Sequence, residues 1–261
     1  MKPIIDAHIH LDLYEAAEIE EIMAGLENAQ CTDVISVSYH LDSCRINLQL
    51  AETYHQVRPA FGFHPEQELP SDHEISQLFS WMENHAEDMV AVGEVGLPYY
   101  MRMEQGAGFS LQGYMELLEE FIKGAKRWNK PIVLHAVYDD APAACDLLEK
   151  HGVKKAHFHW FKGDAPTTER IAENGWFISV TPDVLYEQEI RGLVQRYPLK
   201  QMMVETDGPW RFEGIFSGKM THPRMIHQSV DQISSIKGCP PEAVYQTLYA
   251  NTKEFYRLNG R

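Results

Sequence analysis

Cysteine is scarce in this sequence, and no pair of cysteines is spaced for a recognisable purpose. Four are scattered singly over 261 residues, at Cys31, Cys44, Cys145 and Cys239. There is no C-x-x-C pair and no zinc-ribbon spacing, so we expect isolated reduced thiols, as in cytoplasmic proteins. No apolar run approaches the length that a membrane span needs. The N-terminus "MKPIIDAHIH" reaches Asp6 too early for the apolar region of a signal peptide. We therefore expect a cytoplasmic protein with no membrane partner.

Positive charge is also in short supply. The chain has 23 Lys and Arg against 38 Asp and Glu, a formal net charge of −15. Such a chain repels nucleic acid and anionic membranes over long range, which disfavours a protein that wraps DNA or lies on a membrane. The negative charge does not exclude an enzyme whose site is locally cationic because it holds metal. The length and the 44% of hydrophobic residues suit a large core, and we predict one domain over residues 1–261. The sequence does not indicate the oligomeric state of the protein.

Several catalytic signatures are missing as well. There is neither a G-x-G-x-x-G loop nor a P-loop, which disfavours the common nucleotide-binding folds. There is no G-x-S-x-G turn for a serine nucleophile and no H-E-x-x-H helix for a zinc protease. Any chemistry must therefore come from another arrangement of side chains.

What is present is an alternation of short apolar runs with segments of helical periodicity. The runs lie at residues 3–10, 33–40, 58–65, 89–96, 131–137, 155–161, 176–184 and 201–207. Helical spacing is clear over 16–29 and 111–128, and two more helices are predicted around 222–237 and 241–257. Eight strands alternating with helices predict an α/β fold, a (β/α)8 TIM barrel. The alternative, an open doubly wound sheet, usually has the glycine-rich loop that is absent here.

Histidines and carboxylates fall at the ends of these runs. Active sites of such barrels lie at the carboxyl ends of the strands, so these side chains should meet at one mouth. They are His8, His10, His64, Glu94, His135, His157, His159, Glu205 and Asp207. His157 could serve packing instead, and His40 is equally open. Four histidines of predicted helices and loops are expected to be ordinary surface residues: His55, His73, His85 and His151.

Imidazole and carboxylate are the usual ligands of Zn²⁺, Mn²⁺ and related ions, and carboxylates also serve Mg²⁺. The six side chains that coincidence explains least well are His8, His10, Glu94, His135, His159 and Asp207. Six ligands exceed the about three that one catalytic zinc ion takes from the protein. With one bridging carboxylate they could serve two ions, an arrangement suited to hydrolysis of a phosphate ester or an amide.

The motifs "DAHIHLD", "FGFHPE", "GEVGL", "VLHA", "FHWFKG" and "VETDGP" resemble, in order and spacing, those of the TatD family of metal-dependent hydrolases. The resemblance extends from about residue 4 to the C-terminal segment "LYANTKEFYRL". It implies an amidohydrolase-like barrel with two divalent metal ions (Mg, Mn or Zn) and deoxyribonuclease activity. By motif, His8 and His10 correspond to ligands of one ion, Glu94 to the bridging carboxylate, and His135 and His159 to ligands of the second ion.

The same resemblance assigns roles to three more residues. Asp207 corresponds to the strand-8 ligand that orients or deprotonates the attacking water, so Asp207 and Glu94 are the expected catalytic carboxylates. His64 corresponds to a histidine that contacts substrate or bound phosphate. Glu205 is expected at the rim, supporting a ligand or contacting substrate.

The chain departs from the family pattern around the expected substrate. Pro98 stands where an aspartate is usual, and Ala136 and Val137 follow the fifth-strand histidine in place of a small polar residue and an arginine. Trp160 and Lys162 replace small residues after the sixth-strand histidine, and no R-N-E-P-like piece follows strand 8. These changes leave the expected ligands intact but alter the rim.

Two substrate classes remain open. The first is DNA or a smaller nucleotide ester, held through phosphate by cationic side chains at the rim: Lys162, Arg211 and Arg224. Trp160, Phe161 and Trp210 could stack bases, or pack at the barrel mouth. The second class is a small amide, lactone or ester, whose carbonyl the same ions would polarise. A barrel without catalytic activity is the third and least supported reading, since none of the six ligands is missing.

Overall fold

The computed structural model describes residues 2–258, in which eight strands form one parallel sheet in the order of the chain. The strands are β1 (Ile4–Ile9), β2 (Cys31–Ser36), β3 (Val57–Phe61), β4 (Ala91–Gly96), β5 (Ile132–His135), β6 (Ala156–Phe158), β7 (Phe177–Val180) and β8 (Met202–Val204). Each strand pairs in parallel with the next. The predicted α/β fold of the (β/α)8 TIM-barrel type is confirmed.

Helices follow the strands and surround the sheet. They are α1 (Ala16–Gly25), α2 (Leu41–Thr53), α3 (Asp72–Asn84), α4 (Tyr99–Gln105), α5 (Gln112–Arg127), α6 (Ala141–Lys150), α7 (Ala165–Glu173), α8 (Gln188–Arg196), α9 (Ile226–Lys237) and α10 (Pro241–Phe255). The helix predicted from residue 222 begins at Ile226, because a 3-10 turn containing Pro223 precedes it. All eight strands are shorter than the apolar runs, and in every case except β4 the last residues of the run lie beyond the carboxyl end of the strand.

Apolar side chains alternate between two sides of the strands. Ile5 and Ala7 of β1 belong to a buried cluster with residues of β2 to β5 and β8, which fills the barrel interior. Ile4 and Ile9 instead belong to the larger cluster that the apolar helix faces complete, as expected for a two-residue repeat. The barrel interior is therefore a packed core, and its carboxyl end is the part left for polar side chains.

The last and first strands meet through hydrogen bonds that lie at the mouth. The N–H of Asp207 donates to the carbonyl of His8 at 2.9 Å, and the N–H of His10 donates to the carbonyl of Gly208 at 2.8 Å. The buried Asp6 carboxyl accepts from the N–H of Thr206 at 2.9 Å and from its hydroxyl at 2.5 Å. Closing the barrel thus brings His8, His10 and Asp207 side by side.

Among residues 2–258, no helix combines the length and the apolar character required to cross a membrane.

We expect Asp6→Ala to lower the free energy of unfolding by about 3 kcal/mol, because both donors of Thr206 would be buried without a partner. Asp6→Asn is the matched control. Burial raises the pKa of Asp6 to about 8, so a neutral amide resembles the native group at pH 7 and should cost about 1 kcal/mol or less. Urea unfolding with a chelator present measures both variants. An equal loss in both would show that these hydrogen bonds do not stabilise the barrel closure.

Candidate metal centre

The residues predicted to bind metal meet at the carboxyl end of the barrel. His8 lies within β1, Glu94 within β4, and His135 ends β5. His10 and His159 directly follow β1 and β6. The third residue after β8 is Asp207, held at a backbone φ of 50°, in the left-handed region that few residues other than glycine adopt. Six side chains from five strands thus converge, as the motif spacing predicts.

The carboxylate of Glu94 lies at the middle of this group and is fully buried. Its Oε2 lies 3.2 Å from the Nε2 atoms of both His8 and His10. Its Oε1 lies 3.1 Å from Nδ1 of His135 and 2.6 Å from Nε2 of His159. Each oxygen therefore faces one pair of imidazoles, and the two pairs come from different strands.

Asp207 completes the first pair. Its Oδ1 lies 3.3 Å from Nε2 of His8 and 3.6 Å from Nε2 of His10, and its side chain is 13% exposed. Burial raises the pKa of this carboxyl to about 7, although His159 and His10 act in the opposite direction. Asp207 is thus the carboxylate of the group that a molecule in the mouth can approach.

The donor atoms of this group fit divalent cations. The Nε2 atoms of His8 and His10 are 3.4 Å apart, as are Nδ1 of His135 and Nε2 of His159. Several sets of three lie with their donor atoms within 4.8 Å of one another, among them His8–His10–Asp207 and Glu94–His135–His159. Oε2 of Glu94 is buried and makes no hydrogen bond within the described residues. Imidazole nitrogens and carboxylate oxygens grouped this closely are a donor set that first-row divalent ions accept.

The electrostatics of the group follow from burial and from the one central carboxylate. Burial favours the neutral form of Glu94, but the surrounding imidazoles, His159 first, hold its pKa well below the ordinary value. Burial likewise opposes a charge on His159, yet Glu94 and Glu205 raise its pKa well above normal. The His8 ring stacks on His159 at 3.8 Å, and burial together with that neighbour holds the pKa of His8 well below normal.

His64 lies beside the group, as predicted. Its Nε2 is 3.5 Å from Oε1 of Glu94, and its ring stacks on Tyr39 at 4.6 Å. Its Nδ1 accepts a hydrogen bond of 3.1 Å from the backbone N–H of Glu66. Burial lowers the pKa of His64 to about 3. A neutral ring that accepts at Nδ1 has its proton on Nε2, the atom that faces the centre.

Glu205 is fully buried instead of lying at the rim. Its Oε1 accepts from the backbone N–H of Trp160 at 2.7 Å and lies 3.6 Å from Nδ1 of His159. Of the two roles expected for Glu205, these contacts match support of a neighbouring side chain, because the residue lies behind His159.

The cationic and aromatic residues of the rim lie in the loops after β6 and β8. Lys162 places Nζ 4.8 Å from the ring centre of Trp160, and Arg211 and Arg224 are exposed. Within the part of the chain that the structure describes, none of the three cations forms an ion pair. Trp210 is 59% exposed and 5.5 Å from Trp160 between ring centres.

Phe161 is fully buried and packs against Phe158, which matches the packing alternative and not base stacking. Three positions that depart from the family pattern are also buried, so none of them adds a charged side chain to the rim: Pro98, Ala136 and Val137.

Two histidines that the sequence left open are structural. His157 is buried between the hydroxyls of Tyr256 and Ser179, at 2.8 and 2.6 Å. His40 accepts from the backbone N–H of Ser43 at the start of α2. Glu66, which the sequence reasoning gave no role, lies 3.0 Å from Nε2 of His135. The only sequence feature that pointed to Glu66 was its place as the last residue of "FGFHPE", the motif that contains His64.

Histidines and carboxylates grouped at the carboxyl end of a (β/α)8 barrel are typical of metal-dependent hydrolases. A comparison with family models matches residues 5–257 to the family described as TatD related DNase. The chain belongs to this family of metal-dependent hydrolases, which confirms the resemblance found in the sequence.

Relatives of known sequence or structure agree with this assignment. An uncharacterized metal-dependent hydrolase of Haemophilus influenzae is 36% identical and covers 98% of this chain and 100% of its own. The deoxyribonuclease TATDN3 of Homo sapiens is 26% identical over 97% of this chain and 94% of its own. The crystal structure of YjjV, a TatD homologue from Escherichia coli, matches with a TM-score of 0.89 and 25% identity, over 99% of this chain and 100% of that chain.

We expect saturating Zn²⁺ or Mn²⁺ to raise the melting temperature of chelator-treated protein by about 5–10 °C, because an ion at about a hundred times its Kd stabilises the folded state by about 2.7 kcal/mol. Glu94→Gln should lose most of this increase, since an amide presents only one acceptor to the two imidazole pairs. His55→Gln, which removes an exposed imidazole, is the matched control and should behave as wild type. An undiminished increase in the Glu94 variant would place the metal elsewhere.

Proposed function

We propose that this protein hydrolyses phosphodiester bonds of DNA with two divalent ions (Mg, Mn or Zn). The ions would be held by the six clustered side chains: His8, His10, Glu94, His135, His159 and Asp207. The observation that carries the proposal is the placement of Glu94, which offers one oxygen to each of two imidazole pairs. A carboxylate placed in this way could hold two ions, one beside each imidazole pair. The name of the human relative supplies the substrate class.

Two divalent ions held here would lower the pKa of a water molecule and offset the negative charge that builds up on the phosphate during hydrolysis. Glu94 is buried and surrounded by imidazoles, so its part is to hold and space the ions. Asp207 is 13% exposed and faces the mouth, so its carboxylate can orient the attacking water and take up its proton.

His64 supplies a hydrogen-bond donor beside this position. Because its Nδ1 accepts from the N–H of Glu66, its proton lies on Nε2, which points at the centre. A neutral donor placed there can bind a non-bridging phosphate oxygen without being a metal ligand itself.

The bound segment of DNA is short in this proposal. A net charge of −15 opposes a long electrostatic footprint, which needs many phosphate contacts. A few nucleotides could be held by the cations Lys162, Arg211 and Arg224. The exposed ring of Trp210 is available for a base to stack on.

A second candidate is hydrolysis of a small amide, lactone or ester. The observation in its favour is the buried, apolar character of Ala136 and Val137, which follow His135 where the family often has an arginine. Without an arginine after His135, this part of the rim has one cation fewer for a polyanion, which suits a neutral carbonyl substrate better. The same Asp207 and the same ions would act on it.

We expect Asp207→Asn to lower the kcat for metal-dependent cleavage of end-labelled DNA by a factor of about 100 or more, because the amide cannot accept the proton of water. Single- and double-stranded DNA are tested with Mg²⁺, Mn²⁺ and Zn²⁺ in turn, and metal content is measured in both proteins. Cleavage by the wild type that disappears in the variant supports the proposal. Equal traces in both proteins would indicate contamination, and turnover of a carboxyl ester by the wild type would then favour the second candidate.

Replacing Lys162, Arg211 or Arg224 singly by Ala should weaken DNA binding by about three- to tenfold and reduce the salt dependence of log Kd by about one unit of slope per lost phosphate contact. Lys200→Ala is the matched control, because Lys200 is exposed but precedes β8 at the opposite end of the barrel. Affinities are measured by fluorescence anisotropy with a labelled oligonucleotide at several salt concentrations. A rim variant as unaffected as Lys200→Ala would remove that residue from the DNA-binding surface.

A further inference from the structure

Glu66 makes an unusual set of contacts for a loop residue. It follows β3 by five residues, and its side chain is 15% exposed. Its Oε1 accepts from Nε2 of His135 at 3.0 Å and from the backbone N–H of Tyr100 at 2.9 Å. Its Oε2 accepts from the backbone N–H of Met101 at 2.7 Å. The carboxylate therefore joins the first turn of α4 to one side chain of the metal centre.

The two backbone donors fix where this carboxylate lies. Tyr100 and Met101 are the second and third residues of α4, and their N–H groups have no partner within the helix. A side chain at the residue before the helix usually accepts from such donors, but Pro98 stands there and has no group to do so. Glu66, which lies in the loop after β3, accepts these hydrogen bonds instead. Its position is set by main-chain atoms and not by a flexible partner.

The consequence for His135 is a defined orientation. Its Nδ1 faces Oε1 of Glu94 at 3.1 Å, and its Nε2 faces Glu66. An imidazole whose proton is held at Nε2 presents its Nδ1 lone pair, and a carboxylate behind a ligating histidine also increases the basicity of the ligating nitrogen.

Among residues 2–258, the other three imidazoles of the centre have no carboxylate hydrogen-bonded behind them, although Glu205 lies 3.6 Å from Nδ1 of His159. Within the described residues, the Nδ1 atoms of His8, His10 and His159 are buried and make no hydrogen bond. All three direct Nε2 toward Glu94, whereas His135 directs Nδ1. His135 thus has the reversed orientation and the added carboxylate, and the second observation accounts for the first.

We propose that Glu66 is a positioning residue for the metal centre, whose carboxylate, anchored on the start of α4, holds the proton of His135 on Nε2 and aims Nδ1 at the ion beside Glu94. The inference rests on the proposed role of His135 as a ligand. It adds to that role a residue that sets the affinity of the His135–His159 ion without touching the ion.

A purely structural role is the competing explanation, because loss of Glu66 also frees two N–H groups of α4. The double variant Glu66→Ala with Pro98→Ser separates the two roles. A serine before the helix can accept from an N–H group of its first turn through one short hydroxyl, but it supplies no carboxylate to His135.

The experiment titrates chelator-treated protein with Zn²⁺ by calorimetry and records the imidazole ¹⁵N spectrum of the zinc-loaded protein. Glu66→Ala should lower the affinity for one of the zinc ions by about ten- to a hundredfold. It should also abolish the slowly exchanging Nε2–H signal of His135. Glu66→Gln keeps one acceptor for His135 and should weaken zinc binding less than Glu66→Ala does. The double variant should recover the melting temperature of the chelator-treated wild type but not its zinc affinity.

Glu68→Gln is the matched control, since it removes the same charge from an exposed residue two positions along and should leave both readouts unchanged. Zinc affinity and an Nε2–H signal in Glu66→Ala like those of the wild type would overturn the proposal while leaving the metal centre in place. Recovery of zinc affinity in the double variant would likewise overturn it in favour of the structural role. If the wild type itself bound no zinc ion, the metal centre and the role of Glu66 would fail together.

Discussion

A fully buried carboxylate surrounded by four imidazoles is the constraint around which this protein is arranged. Removing a charge from water is costly unless partners compensate for it. Glu94 meets that requirement with two nitrogen atoms at each end of its carboxylate, at 2.6 to 3.2 Å. An imidazole compensates this charge through the proton on its nitrogen, and a divalent cation bound by the nitrogen lone pairs would compensate it at the same place. Stability of the buried charge and capacity for metal thus have one structural cause.

The barrel supplies the precision that such an arrangement needs. Each proposed ligand lies in a strand or within three residues of its end, where hydrogen bonds to neighbouring strands fix the backbone. The closure between β8 and β1 matters most, since the bonds from Asp207 to His8 and from His10 to Gly208 determine how far apart these ligands lie. Asp6 and Thr206 lie directly beneath and hold the same two segments together. Packing in the core and geometry at the mouth are therefore coupled.

The sequence predicted the features that depend on local patterns. Eight apolar runs predicted the strands, and polar residues at their ends predicted which side chains the structure brings together. What it could not predict depends on contacts between distant loops. The burial of Glu205 and Phe161 requires knowledge of what packs over them. Glu66 acquires its part only because the loop after β3 approaches the start of α4, a contact that spans 34 residues of sequence between Glu66 and Tyr100. The sequence shows that the side chain of Pro98 cannot accept hydrogen bonds from the first turn of α4. It does not show which residue accepts them instead.

This division also explains why the chemistry of the protein is easier to infer than its substrate. The residues that would activate water lie on strands or within three residues of a strand end, where the barrel and not a long loop sets their positions. Lys162, Arg211 and Arg224 lie in loops, without an ion pair to fix them among the described residues, and the apolar Ala136 and Val137 lie next to a ligand. Changes in loops of this kind can make the site accept a carbonyl substrate in place of a phosphate ester, without moving Glu94 or Asp207. Substrate choice therefore rests on the affinity of a few surface side chains, each contributing little, whereas metal-assisted hydrolysis rests on the whole barrel.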